Sequence, residues 1–303
     1  MNMQTDSAVI APEVVMPTRP LYWSIRRELW ENRSIYLAPL FVACVLLFGF
    51  LISIIGLPHR RRAVSLLSPA QQQVAIEKPY DIVAGLLFVT AFVVGFFYCL
   101  DALHGERRDR SILFWKSLPV SDRATVLSKA SIPLVILPLI TLAIVLITQF
   151  IFIAMSTAVL LMSRLDPAML WSQMKYVPSP LIYFYVAPVI VLWHAPIYAW
   201  LLLVSGWARR ATFLWAVLPF FAVSIFEKMA FGTTYFGYML RYRLAGWMTE
   251  GFVTKAHGKV VVDPLTQLTP GNFLMTPGLW VGLAFAAVCL AAAVRLRRYR
   301  EPI

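Results

Sequence analysis

Six long apolar stretches, separated by polar and charged connections, dominate the chain: Tyr36–Leu57, Ile82–Leu100, Pro133–Leu161, Leu181–Ser205, Thr212–Phe226 and Leu279–Val294. A helix needs about 20 mostly apolar residues to cross the hydrocarbon core of a bilayer. The first four stretches reach or approach that length, the third is long enough to tilt or project beyond the lipid, and the last two are short. Prolines fall inside them, among them Pro138, Pro188, Pro196 and Pro219. Such prolines are tolerated where a neighbouring helix satisfies the freed carbonyl. The expected fold class is therefore all-α integral membrane, with six transmembrane helices.

The remaining segments have patterns of their own. Residues 1–20 form a polar tail. Residues 21–34 place Leu21, Ile25 and Leu29 at intervals of four, with Trp23 and Trp30 beside charged residues. That pattern predicts an amphipathic helix lying in the headgroup layer; a solvated lead-in to the first span is the plainer alternative. The six-helix transmembrane domain then occupies 35–303. Within it, 227–277 is too long for a structureless connection. It carries apolar, aromatic stretches, Met229–Leu240 and Gly246–Val253, each too short to span. A re-entrant or surface-lying outer segment before the last span is expected there.

Composition supports the membrane assignment. Of 303 residues, 60% are hydrophobic and 14% charged, against about 45–50% and 25% in ordinary globular domains. This argues against a cytosolic enzyme, a disordered scaffold and a secreted mini-domain. The net charge of +12 suits cytoplasmic loops and anionic headgroups, so no nucleic-acid partner is expected. With the N-terminus inside, the inner segments hold sixteen Lys and Arg and the outer ones eleven. The positive-inside rule then predicts both termini in the cytoplasm. No apolar h-region or cleavage site precedes the first span, which is expected to remain as an uncleaved anchor.

Candidate chemistry is sparse. Cys44, Cys99 and Cys289 all fall in apolar runs and suggest neither a disulfide framework nor a metal site. The four histidines share no ligand spacing. The single Gly-Lys pair, Gly258-Lys259, lacks the first glycine of a phosphate-binding loop, because Val253 stands there. No catalytic residue, metal or cofactor is expected in this chain. His194 is the one ionisable residue well inside a predicted span, where it reads best as a neutral imidazole bonded to a neighbouring helix. With Trp193 and Tyr185 it also marks a candidate substrate path. Gly278 and Gly282, followed by Ala284, Ala286 and Ala287, suggest close helix packing.

The densest charge lies in Asp101–Ser131. Before Pro119, Ser111–Leu118 can form two helical turns that present Ile112, Phe114 and Trp115; after it, Ser121-Asp122 makes an N-cap for a helix leading into the third span. A short aromatic helix framed by charges is a docking element for another protein or, equally, an interfacial helix with Trp115 among the headgroups.

Glu106 to Ser121, ending in Ser117-Leu118-Pro119-Val120-Ser121, resembles the loop between the second and third spans of ABC-2 type transporter permeases. The six-span layout, the N-terminal interfacial helix and the long outer segment are similar too. That family's loop usually carries a glycine before the Ser/Thr and acidic residues within the helix; here Arg110 precedes Ser111, and Lys116 stands in place of an acid. The resemblance implies the permease subunit of an exporter in the bacterial inner membrane, paired with a second permease copy, expected to be identical. A separate ATPase in two copies would bind ATP and Mg. The implied coupling helix comprises Glu106, Arg107, Arg108, Arg110, Ser111, Ile112, Leu113, Phe114, Trp115, Lys116, Leu118 and Pro119. Phe114 and Trp115 would anchor in a groove of the ATPase, with the flanking charges pairing around it. Two alternatives are an integral-membrane enzyme acting on lipids and a non-catalytic anchoring or assembly protein.

Overall fold

A computed structural model describes residues 20–56, 68–111, 121–163, 180–252 and 268–299. These residues are almost wholly helical; among them there is no sheet, only an isolated antiparallel bridge between Phe252 and Leu268. Six helices are long and apolar enough to cross a membrane, so the chain is an all-α, multi-pass membrane protein.

Helix α1 (Pro20–Glu31) starts with proline, whose missing N–H costs nothing in a first turn. Ile25 and Leu29 turn toward the bundle. Trp23 and Trp30 stay exposed, with the Arg26 guanidinium 5.3 and 4.8 Å from their ring centres. This is the expected amphipathic helix, except that Leu21 is exposed and Glu28 is buried on the inner face.

Helix α2 (Ser34–Ile54) follows after a short break, and α3 (Pro69–Ala102) returns. α3 begins well before the apolar run at Ile82. At 1.5 Å per residue its 34 residues extend about 51 Å, roughly 20 Å more than the hydrocarbon core. The added turns, PAQQQVAIEKPYD, are too polar for a span but rich in strong helix formers. The Gln71 side chain accepts from the Ser68 N–H at their start.

After α4 (His104–Arg108), α5 (Asp122–Ser131) is capped as expected: Ser121 Oγ accepts from the Ala124 N–H at 3.2 Å. α5 continues through one π-helical turn, Ile132–Ile136, into α6 (Leu137–Met162). Pro133 and Pro138 lie in and beside this turn, where each withholds a backbone donor from the α-helical ladder.

Helix α7 (Pro180–Trp207) is the central column. It packs against α3, α6, α8 (Thr212–Phe231) and α12 (Pro277–Tyr299). α7 and α12 run parallel: Leu279 lies by Val189 and Trp193, and Ala286 and Cys289 lie by Ala195 and Ala199. Small side chains at these levels allow the close approach. The half of the bundle away from α1 and α5 holds a second apolar cluster, where Phe50 stacks on Phe152 at 3.9 Å. Between α8 and α12 come α9 (Tyr235–Ala245), α10 (Trp247–Gly251) and α11 (Pro270–Met275). Most large side chains of α8 face outward, as lipid-facing or partner-facing residues do.

Candidate functional site

Two sites emerge, one at the base of the bundle and one halfway along α7. At the base, six charged side chains from α1, α4, α5 and α12 form one connected network. Lys129 Nζ donates to Glu28 at 2.8 Å and lies 3.1 Å from Glu106. Arg27 bridges the same two carboxylates at 2.9 and 3.1 Å. Arg297 binds Glu106 at 3.3 Å and Asp122 at 2.9 Å. The Tyr98 hydroxyl donates to the other oxygen of Glu28 at 2.8 Å. These three carboxylates balance these three cations, as burial demands, and exposed Glu31 adds a fourth carboxylate 3.5 Å from Arg27.

Local sequence explains how each group arrives. Asp122, Val126 and Lys129 follow the four-then-three spacing of one helical face, and Val126 is fully buried. Cys289, Ala293 and Arg297 recur every four residues along the inward face of α12. Glu28 is 1% exposed and Lys129 3%. Burial opposes ionisation of Glu28, but Lys129, Arg27 and the Tyr98 hydrogen bond outweigh it and hold the carboxyl below its ordinary range.

The network brackets the candidate docking stretch. Glu106 precedes it, Asp122 follows it, and Arg297 binds both. Arg107 also turns inward: its Nη1 donates to the carbonyls of Gly206 and Ala208 at 2.9 and 3.2 Å. A cation there complements the C-terminal end of α7. Ser205 Oγ accepts from the Leu103 and His104 N–H groups at 3.0 and 2.9 Å and fixes the α3–α4 junction to the same end. Of the four charges expected to frame the docking helix, Glu106 and Arg107 are thus engaged within the chain. Arg108 and Arg110 are exposed, Arg108 near Asp109 and Asp101. Ser111 is half-buried, its hydroxyl 3.4 Å from the Glu106 carbonyl. Ile112, Leu113, Phe114, Trp115, Lys116, Leu118 and Pro119 lie outside the described residues. Arg110 has φ of 56°, a left-handed conformation that glycine adopts without steric cost. The residue departs from the resemblance at this position, but its backbone has the form a glycine would favour.

The second site joins α7 to the outer segment. Trp193 is fully buried near the midpoint of α7, roughly 20 Å from either end by helical rise. Its ring packs edge-on to Tyr242 at 5.2 Å and near Phe273 at 6.1 Å. The His194 ring nitrogens lie 2.8 Å from the Ile190 carbonyl and 3.2 Å from that of Leu244. A neutral imidazole donates from only one nitrogen, so the neutral ring can donate to one of these carbonyls at a time. Nearer the start of α7, Tyr185 donates to the Gly251 carbonyl at 3.1 Å. All three candidate path residues therefore hold the outer segment, and that segment reaches the mid-depth of the bundle, as a re-entrant element does. Gly246 makes the approach possible: a Cβ there would lie 2.5 Å from the Tyr242 carbonyl oxygen and 2.9 Å from the Trp193 ring.

Sequence reasoning passed over Arg243 in this region. Its guanidinium carbon lies 4.9 Å from the Trp193 ring centre, and Nη1 donates to the Gly278 carbonyl at 3.1 Å. A small apolar cavity lies nearby between α3, α6 and α7, lined by Phe88, Phe92, Pro138 and Tyr198. Among the described residues, no group of three or more His, Cys, Asp or Glu could hold a metal ion. Comparisons with protein-family models, curated proteins and solved structures return no match.

Proposed function

We propose that this chain is the transmembrane subunit of an ABC-2 type exporter, moved by a separate ATPase that docks on the 101–131 loop. The observation that carries the proposal is the bracing of that loop. Both of its flanks, through Glu106 and Asp122, are tied to Arg297, and the same cluster reaches α1 through Glu28 and Arg27. A push on a loop mounted in this way is delivered to the interfacial helix and to the last span together, rather than absorbed by a slack linker.

On this reading the base of the bundle is cytoplasmic in a bacterial inner membrane, and both ends of the chain lie on that side. Phe114 and Trp115 seat in a groove of the ATPase, with Arg108 and Arg110 at its rim. ATP and Mg are bound by the ATPase, present in two copies. Two permease copies, taken as identical, complete the path for a hydrophobic or amphiphilic substrate. ATP binding brings the two docking stretches together, and the outer segment held by Tyr185, Trp193 and His194 acts as the gate. For this motion to export substrate, the ATPase must contact the permease differently in its open and closed states.

The test is affinity capture of the tagged protein from its native membrane. The expected result is a co-purifying phosphate-loop ATPase, lost when Phe114→Ala and Trp115→Ala are combined. Capture that survives the double substitution contradicts the docking assignment, and capture of no ATPase contradicts the exporter reading.

A further inference from the structure

The six charges of the base network all meet opposite charges. Arg243 does not. It belongs to the re-entrant segment at the mid-depth of α7, where an uncompensated charge is costly and marks a functional site. Its contacts are a carbonyl and an aromatic face, and its Nη2 is buried without a hydrogen-bond partner. Among the described residues it makes no ion pair. Glu250, on the same outer segment, is already engaged by the Tyr242 and Thr276 hydroxyls at 3.0 and 3.2 Å.

The surroundings keep a place for this group. A Cβ at Gly282 would overlap the Arg243 guanidinium, so glycine at that position leaves the slot between α9 and α12 open. Arg243 as a residue is only partly buried, although its Nη2 is enclosed. Tyr238 and Trp280, on the flanking helices α9 and α12, are exposed.

We propose that Arg243 receives the anionic head of an amphiphile, a phosphate or carboxylate carried on an apolar tail, at the junction of α9 and α12. The anion supplies the counter-charge that the described residues do not provide, and guanidinium geometry matches such oxygens. The tail is required because the site lies at membrane depth: a free anion would lose its hydration with no apolar burial to offset the loss. The proposal rests on the exporter reading and narrows its substrate to anionic amphiphiles.

The test is calorimetric titration of the purified full-length protein in detergent with three probes: dioctanoyl phosphatidylglycerol, dioctanoyl phosphatidylcholine and inorganic phosphate. The anionic lipid should bind about tenfold more tightly than the zwitterionic one, and inorganic phosphate should give no saturable binding. Arg243→Gln should abolish the preference and Arg243→Lys should retain part of it. Arg26→Gln, on the outward face of α1, should leave it unchanged. Should Arg243→Gln fail to fold, Gly282→Ala serves instead: it keeps the charge, displaces the guanidinium, and should also erase the preference. Equal affinity for the two lipids, a preference that survives in every folded Arg243 and Gly282 variant, or equally tight inorganic phosphate overturns the proposal. Because ATPase capture does not involve Arg243, it should persist in Arg243→Gln; failure of the docking assignment and failure of this site are therefore read separately.

Discussion

The base and the mid-depth site hold their helices by different physics. At the base, three carboxylates and three cations tie four helices together, and Glu28 and Lys129 are almost fully enclosed. At mid-depth the outer segment hangs on α7 by single hydrogen bonds from Tyr185 and His194, by ring edges, and by one cation with no carboxylate. A buried charge network resists partial disruption, because losing one member leaves another charge buried and uncompensated. Neutral hydrogen bonds and ring contacts can be exchanged one at a time at about 1 kcal/mol each. The base is thus suited to carry force as a unit, and the outer segment to yield.

Breaking the base should produce the largest effect. Lys129→Ala removes the enclosed cation that Glu28 and Glu106 share, leaves a buried negative charge uncompensated and should cost about 3–5 kcal/mol, read as a large drop in the thermal denaturation midpoint in detergent. At the mid-depth site, Gly246→Ala forces a methyl against the Tyr242 carbonyl and Trp193 and should cost about 1–3 kcal/mol. Its effect should be concentrated in faster hydrogen exchange across 235–252, with α1 and α5 unchanged. Tyr185→Phe removes one hydrogen bond and should cost about 1 kcal/mol, with faster exchange confined to the same segment. If Tyr185→Phe destabilises the protein as much as Lys129→Ala, the contrast between the two sites fails.

Acid should weaken the base. The Glu28 carboxyl is held below its ordinary value of about 4.5. Its stabilisation is therefore complete above that pH and is lost as pH falls through the lowered folded value. The denaturation midpoint of the wild type should fall more steeply below about pH 4.5 than that of Glu28→Gln. The smallest effect is expected at Arg110: glycine there removes a left-handed strain of roughly 1 kcal/mol but adds chain entropy, so the denaturation midpoint should rise only slightly.

The six spans were legible in the sequence because length and apolarity are local properties. The Ser121 cap and the inward stripe of α1 were legible for the same reason. The extent of α3 was not, because its first turns satisfy helix propensity but not hydropathy, and a membrane span shows itself only by hydropathy. The base network was hidden because its partners lie far apart in the chain. Glu28, Lys129 and Arg297 each look like an ordinary solvated charge until the fold brings them together, although Glu28 between Ile25 and Leu29 does interrupt an apolar stripe. Tyr185, Trp193 and His194 stood out as polar or aromatic groups inside a span, but their partners on 242–252 could not be read from spacing. Arg243 escaped notice because the run Arg241-Tyr242-Arg243 reads as a surface helix, and only Gly278 and Gly282 of the next span reveal how close it comes.

The central claim is that the loop bracketed by Glu106 and Asp122 is where an ATPase attaches. Its most direct test places a photo-crosslinking phenylalanine analogue at position 115 in living cells, with position 23 on the outward face of α1 as the control. An adduct with a phosphate-loop ATPase from position 115, and none from position 23, is the expected result. A position-115 adduct with lipid alone would make this stretch a headgroup anchor and contradict the account.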